Sequence, residues 1–215
     1  MEKNMRDLKI TYIKGGTDNC YLVSDGKSAF LVDTSSGKSL PKVLEECSKY
    51  DMKLIVLTHP HFDHAENAAA IAQKFHIPVA YHQADDEIFD NYESQPLKSY
   101  GAVGFVVLKL SLKQLSQTKV TRPDETFFVK EGDTLEAFGF PEAKILELPG
   151  HTRGSIGVLV SDTELIVGDA LDNWIRPGVG HLYYDLDVQR RTAQRIRDLH
   201  ASKIYYGHGK PSNGF

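Results

Sequence analysis

Short apolar runs, rich in β-branched and aromatic residues, alternate with polar turns along most of the chain. Such runs are typical of β-strands. They predict strands at residues 8–13, 20–24, 29–32, 54–57, 78–81, 126–129, 134–137, 144–148, 156–160, 164–167 and 203–206. Asp25-Gly26-Lys27 lies between two of these runs and predicts a hairpin, and Glu131-Gly132-Asp133 is another turn signal.

Apolar residues recur at helical spacing in three segments, which predicts helices at 39–50, 65–75 and 188–200. Ser39 stands where it can cap the first helix. Segment 83–125 follows neither period clearly, although it is expected to be helical in part. Strands interspersed with helices predict one α/β domain with mixed sheets over residues 1–215, in which 83–125 is an insertion that resembles a lid.

Composition narrows the class of protein. The chain has 215 residues and a formal charge of −4, so bulk charge gives no support for a nucleic-acid partner. The apolar runs are too short to span a membrane, and the polar N-terminus lacks a signal peptide, so a cytoplasmic location and no membrane partner are expected. Cys20 and Cys47 are too few for a disulfide framework and are expected in the core, not as nucleophiles.

Four side chains that can bind a metal follow the strand at 54–57, in the run His59-Pro60-His61-Phe62-Asp63-His64. Imidazole nitrogen and carboxylate oxygen are ligands that suit zinc and similar divalent ions. Four such groups within six residues are more than one ordinary zinc site requires. The run therefore predicts a metal site that extends to a second ion.

Further metal-competent side chains follow other predicted strands. His151, Asp169 and His208 each come just after a strand, and they would complete two sites if these strand ends lie along one sheet edge. Asp33 also ends a strand. It is either a turn former or a residue that holds a ligand histidine by its free N–H.

The run His-x-His-x-Asp-His resembles the signature of the metallo-β-lactamase superfamily. The order Asp33, 59–64, His151, Asp169, His208 matches the five motifs of that family, and the resemblance covers nearly the whole chain. It implies an αββα sandwich, in which two mixed β-sheets are flanked by helices and the metals lie at one edge.

The resemblance also implies a ligand set. His59, His61 and His151 hold the first metal, Asp63, His64 and His208 hold the second, and Asp169 bridges them. Two Zn²⁺ are the expected cofactors, although the same ligands accept Fe or Mn. A water shared by two cations loses a proton near neutral pH and attacks a polarised carbonyl. The implied catalytic residues are His59, His61, Asp63 and Asp169.

Subfamily features point to a branch. A bridging Asp, here Asp169, is typical of the glyoxalase II-like and lactonase branches, whereas true β-lactamases usually have Cys or Ser at this motif. Segments 149–156 and 19–23 look most similar to glyoxalase II-like (hydroxyacylglutathione hydrolase-like) enzymes. The chain ends soon after His208, where glyoxalase II proper has a glutathione-binding helical domain, so a single-domain branch is expected. The lactonase-type Tyr is replaced by Asp172.

The sequence thus predicts a dinuclear hydrolase, not a β-lactamase, that acts on a small-molecule thioester, ester or lactone. Two alternatives stay open: a mononuclear iron enzyme like the persulfide dioxygenases and, less favoured by the acidic charge, a nuclease or phosphodiesterase. The expected pocket walls are 83–125 and 172–185, the latter with Trp174, Arg176, His181 and Tyr183. The apolar patch at 100–115 is compatible with either a lid or a homodimer surface.

Overall fold

The computed structural model describes residues 7–115 and 117–215 of the chain. The strands are β1 Lys9–Lys14, β2 Asn19–Ser24, β3 Ser28–Val32, β4 Asp51–Val56, β5 Val79–Tyr81, β6 Lys98–Ser99, β7 Thr126–Phe128, β8 Thr134–Leu135, β9 Phe140–Glu147, β10 Ile156–Val160, β11 Glu164–Gly168, β12 Leu171–Asp172, β13 Gly178–Val179, β14 Leu182–Tyr183 and β15 Lys203–Tyr206. The α-helices are α1 Leu40–Cys47, α2 Phe62–Ala65, α3 Ala68–Phe75, α4 Gly101–Leu115 and α5 Leu186–Asp198. Short 3₁₀ helices cover Gly37–Ser39, Gln83–Phe89, Tyr92–Ser94 and Glu136–Phe138.

Two mixed sheets form the centre of the fold. The first has the order β1-β2-β3-β4-β5-β7 and is antiparallel from β1 to β3 and parallel from β3 to β7. The second has the order β15-β11-β10-β9-β8, in which only the β11–β15 pair is parallel. The mixed sheets that the sequence predicts are confirmed.

Successive side chains along each strand point to opposite faces of its sheet, and this produces the layers. On β3, Phe30 points into the core between the sheets, whereas Leu31 points to the other face of its sheet, toward α1 and α3. On β11, Ile166 joins the same central core, whereas Leu165 packs on the side of α5. Each sheet therefore buries one face against the other sheet and the opposite face against helices, and the αββα prediction is confirmed.

Several predicted element boundaries are wrong for reasons that lie in the tertiary structure. Ser39 makes no side-chain cap, because a 3₁₀ turn already precedes α1 and places Ser39 in helical backbone conformation. The helix predicted at 65–75 is split between α2 and α3, and the Asn67 side chain between them donates to the backbone oxygens of Thr34 and Ser35. The strand predicted at 134–137 ends at Leu135, where a 3₁₀ turn leads to Gly139 with a φ of 92°.

Segment 83–125 contains the long helix α4, which the sequence pattern did not resolve. Its apolar residues lie on all sides, and Phe105 and Leu110 are each 65% exposed. Gly104 allows close packing, since a Cβ there would stand 3.1 Å from the backbone oxygen of His181. Among the described residues, none of the helices is long and apolar enough to span a bilayer. Residues 1–6 and 116 of the predicted domain lie outside the described residues, and the single-domain prediction stays a prediction.

Candidate metal centre

The carboxyl ends of four strands meet at one edge of the sandwich. The backbone N–H of Ile156, at the start of β10, donates to the oxygen of Thr58 at 2.9 Å and joins the two sheets there. On the second sheet, β11 and β15 run parallel with Gly168 beside Tyr206, so the residues that follow them are neighbours. The loops after β4, β9, β11 and β15 therefore converge, as expected from the sequence.

All seven predicted ligands come together at this edge. Their donor atoms form three groups within which every atom lies within 4.8 Å of the others, namely His59, His61 and His151; His59, His64 and Asp169; and Asp63, His64 and His208. The first and third groups match the two ligand sets implied by the family resemblance. The middle group connects them.

Asp169 lies between the first and third groups. Its Oδ1 is 3.4 Å from Nε2 of His64, and its Oδ2 is 3.3 Å from Nε2 of His208 and 3.7 Å from Nε2 of His151. Asp63 Oδ2 also lies 3.4 Å from Nε2 of His208. One carboxylate thus reaches histidines of both groups, which is the geometry a bridging ligand requires.

The outer nitrogens of the histidines are held by oxygen atoms. Nδ1 of His151 is 3.0 Å from the oxygen of Leu182, and Nδ1 of His208 is 2.8 Å from the oxygen of Thr17. A carbonyl oxygen can only accept, so each Nδ1 carries the proton and each Nε2 presents a lone pair to the cluster. Such outer contacts orient metal-ligating histidines.

Asp33 holds two further histidines in the same way. Its Oδ2 accepts from Nδ1 of His64 at 2.8 Å and from Oγ1 of Thr58 at 2.9 Å, while Oδ1 accepts from the Thr58 N–H at 2.7 Å. Since the Thr58 hydroxyl donates to Asp33, it accepts from Nδ1 of His59, 3.1 Å away. Asp33 therefore sets the tautomers of His64 and, through Thr58, of His59.

The histidine-only group is electrostatically suited to a cation. Burial, with the neighbouring imidazoles of His64 and His151, lowers the pKa of His59 well below its usual range. Burial and His151 also lower the pKa of His61 to about 3. These imidazoles stay neutral at physiological pH, which is the form that binds a metal.

The carboxylate-containing groups behave differently. Burial disfavours the charged form of Asp63, but the hydrogen bond with His208 and the charges of His64 and His208 together outweigh it and lower the pKa of Asp63 to about 2. Burial would lower the pKa of His64, but the carboxylates of Asp169 and Asp33 outweigh it and raise that pKa well above its usual value. Protons therefore compete with metal ions on this side of the cluster.

Orphaned polar atoms support a metal in the cluster. Within the described residues, Nε2 of His59, Nε2 of His64 and Oδ1 of Asp169 are buried and have no hydrogen-bond partner. Buried polar atoms without a partner are costly, so such a concentration of them calls for a ligand. Divalent cations satisfy both the nitrogens and the carboxylate, and the residues present fit them.

A protein-family model described as the metallo-beta-lactamase superfamily matches residues 13–208. The chain belongs to this superfamily. A "Probable metallo-hydrolase" of Methanocaldococcus jannaschii is 29% identical over 209 residues, which are 91% of this chain and 89% of the relative. A hydroxyacylglutathione hydrolase of Haemophilus influenzae is 27% identical over 170 residues, which are 77% of this chain and 72% of the relative.

Solved structures share the fold. One crystal structure, of a protein in a di-iron-bound form, aligns with this chain with a TM-score of 0.68 and 21% sequence identity. The alignment covers 95% of this chain and 94% of that chain. At this identity the similarity shows the fold alone. Membership of the metallo-beta-lactamase superfamily, together with relatives named as metallo-hydrolases, supports a metal-dependent hydrolase in general terms.

Asp85 holds the loop that carries His151. The sequence did not mark this carboxylate as functional. Asp85 is fully buried and accepts from Thr152 Oγ1 at 2.6 Å, from the Gly154 N–H at 2.7 Å and from Gln95 Nε2 at 3.0 Å. The cluster Asp85-Asp86-Glu87 was visible in the sequence, but nothing local indicated that its first residue faces the loop after β9.

A cavity of about 620 Å³ opens beside the cluster. Of the predicted pocket residues, Trp174 and His181 line it, and Trp174 stacks on His208 with ring centroids 5.0 Å apart. In the part of the chain that the structure describes, Arg176 and Tyr183 do not form its wall. Arg176 is exposed, and the Tyr183 hydroxyl donates to the backbone oxygen of Ser99, so their pocket role is not supported.

Two loops of the first sheet complete the cavity wall and were not expected from the sequence. They are residues 16–18, between β1 and β2, and residues 36–38, after β3. The Ser36 N–H donates to Oδ2 of Asp18 at 2.9 Å and ties the two loops together. Both loops lie at the edge of the sheet that carries the histidines. The glycines at 15, 16 and 37 are the sequence signal that could have indicated turns lining a cavity.

Proposed function

We propose that the protein is a dinuclear metal-dependent hydrolase of a small thioester, ester or lactone. The observation that carries this proposal is Asp169, whose two oxygens reach histidines of two separate ligand groups. His59, His61 and His151 would hold one cation and Asp63, His64 and His208 the other. The similarity to a hydroxyacylglutathione hydrolase supports a thioester.

The proposed chemistry divides between metal and protein. Two divalent cations, for which Zn²⁺ is proposed and Fe or Mn is accepted by the same ligands, would lower the pKa of a shared water and polarise the substrate carbonyl. Asp33, Thr58, Leu182 and Thr17 hold the ligand imidazoles in the tautomer that the reaction needs. The cavity receives the substrate beside these groups.

Metal analysis tests the dinuclear proposal directly. Purified protein loaded with Zn²⁺ and freed of loosely bound ions is expected to hold close to two metals per chain and to hydrolyse members of a thioester, ester and lactone panel. Chelation should remove the activity, and Zn²⁺ should restore it. A single iron per chain, with oxygen consumption on a persulfide, would contradict the proposal and favour the dioxygenase alternative.

A further inference from the structure

We propose that the substrate of this site carries an apolar acyl chain of medium length, which lies along α4. The inference rests on the proposed hydrolase function and adds the class of acyl group. Its basis is the unequal chemistry of the two cavity walls, each of which is hydrogen-bonded to a ligand of a different group.

One wall is apolar. Five aliphatic side chains line it. They come from α4, from β14 and from the residue that precedes β6, namely Leu97, Val107, Leu110, Leu115 and Leu182. The polar residues of α4 on this wall, Ser111 and Gln114, are uncharged. Burial of methylene groups against a wall of this kind favours binding. A charged acyl group would find no partner there.

The opposite wall is polar. It is formed by the loops 16–18 and 36–38 with Glu66, and it includes the exposed Lys38. The Gly37 N–H donates to Oε2 of Glu66 at 2.7 Å, and Asp18 accepts from Ser36, so backbone groups neutralise part of the acidic charge here. A hydrocarbon chain placed on this side would desolvate charged groups, whereas a polar leaving group would not.

Each wall is hydrogen-bonded to a ligand of a different group. Leu182, on the apolar side, accepts from Nδ1 of His151, and the neighbouring His181 backbone packs against Gly104 of α4. Thr17, on the polar side, accepts from Nδ1 of His208. A carbonyl at the cluster therefore directs its acyl side toward α4 and its leaving-group side toward the loops.

The volume suits such a substrate. The cavity of about 620 Å³ lies within the range of sites that enclose a drug-sized molecule. An acetyl group alone would leave most of the α4 wall in contact with water. The wall is covered only when the acyl chain extends along the helix.

A chain-length series tests the inference. Thioesters of one thiol, with acyl groups from acetyl to decanoyl, are offered to the metal-loaded protein. We expect kcat/KM to rise by about fourfold for each methylene that becomes buried, until the wall is filled. A profile that is flat or falls from acetyl onward overturns the inference, although the hydrolase proposal stands.

A matched pair of variants locates the chain. Val107 lines the cavity, whereas the adjacent Val106 is 57% exposed and is not part of the cavity wall. Val107→Asp is expected to lower the decanoyl-to-acetyl ratio of kcat/KM at least tenfold, and Val106→Asp to leave it unchanged. Val107→Trp should move the optimum to shorter chains. Equal ratios in Val107→Asp and Val106→Asp overturn the inference.

A binding measurement separates the two proposals. Decanoate should raise the Tm of the wild-type protein more than acetate does, and Val107→Asp should remove the difference. Equal shifts from decanoate and acetate overturn the acyl-chain inference. If no thioester of any length is hydrolysed by fully metal-loaded protein, the hydrolase proposal fails, whatever the Tm shifts show.

Discussion

Replacement of His61 by alanine is expected to lower the rate of hydrolysis by on the order of 10³-fold or more, because a ligand of the first proposed cation is lost. His61 is buried, and its Nδ1 lies 3.0 Å from Nε2 of His151. Without it, His59 and His151 remain as a pair that cannot hold a cation tightly. Elemental analysis should show that the metal content falls with the activity.

The fold is expected to survive this change, because the side-chain partners of His61 are members of the cluster and, at a ring-centroid distance of 6.3 Å, the half-buried Tyr92. Circular dichroism of the variant should match the wild-type spectrum. His76→Asn is a matched control, since His76 is exposed at the end of α3 with a φ of 53° that asparagine tolerates. Full activity and two metals in His61→Ala would refute its assignment as a ligand.

Asp169→Asn is expected to reduce the metal content from two ions to one or fewer and to lower the hydrolytic rate by on the order of 10³-fold. The side chain keeps its shape but loses the negative charge that both proposed cations share. Burial would lower the pKa of His208, but the carboxylates of Asp169 and, to a smaller extent, Asp63 outweigh it and raise that pKa well above its usual value. In the metal-free variant, His208 should therefore titrate at lower pH.

Two measurements check this prediction: equilibrium dialysis with Zn²⁺ for stoichiometry, and NMR titration of the imidazole protons in metal-free protein. Asp187→Asn, an exposed position on α5, is the control for loss of one carboxylate elsewhere. Retention of two metals and of the wild-type titration of His208 would show that Asp169 does not bridge.

The local sequence predicted most of the secondary structure because the signals are local. The apolar runs at 29–32, 54–57 and 156–160 are strand patterns that the structure confirms. The failures lie where distant residues intervene. Asn67 divides the predicted helix through contacts with the loop after β3, and Asp185, which the sequence did not mark, caps α5 by accepting from Asp187 and Val188.

The cavity wall was less predictable than the ligand cluster. Segment 83–125 was correctly expected to contain helix, but the bounds of α4 were not resolved, because its apolar residues lie on all sides and give no helical period. Arg176 and Tyr183 were selected because they lie near Asp169 in sequence. The chain between them turns, so Trp174 and His181 line the cavity and the other two do not.

The sequence by itself determined which donor atoms this protein offers to a metal and that each follows a strand, because residue type and strand period are properties of short segments. The resemblance carried by those residues then implied the superfamily and its fold. Only the tertiary structure decided that Asp169 lies between two ligand groups and that α4 forms one cavity wall. It also decided that Asp33 holds His64 and, through Thr58, His59, and that Asp85 holds the loop of His151. Those facts depend on groups tens of residues apart, which meet only when both sheets are packed.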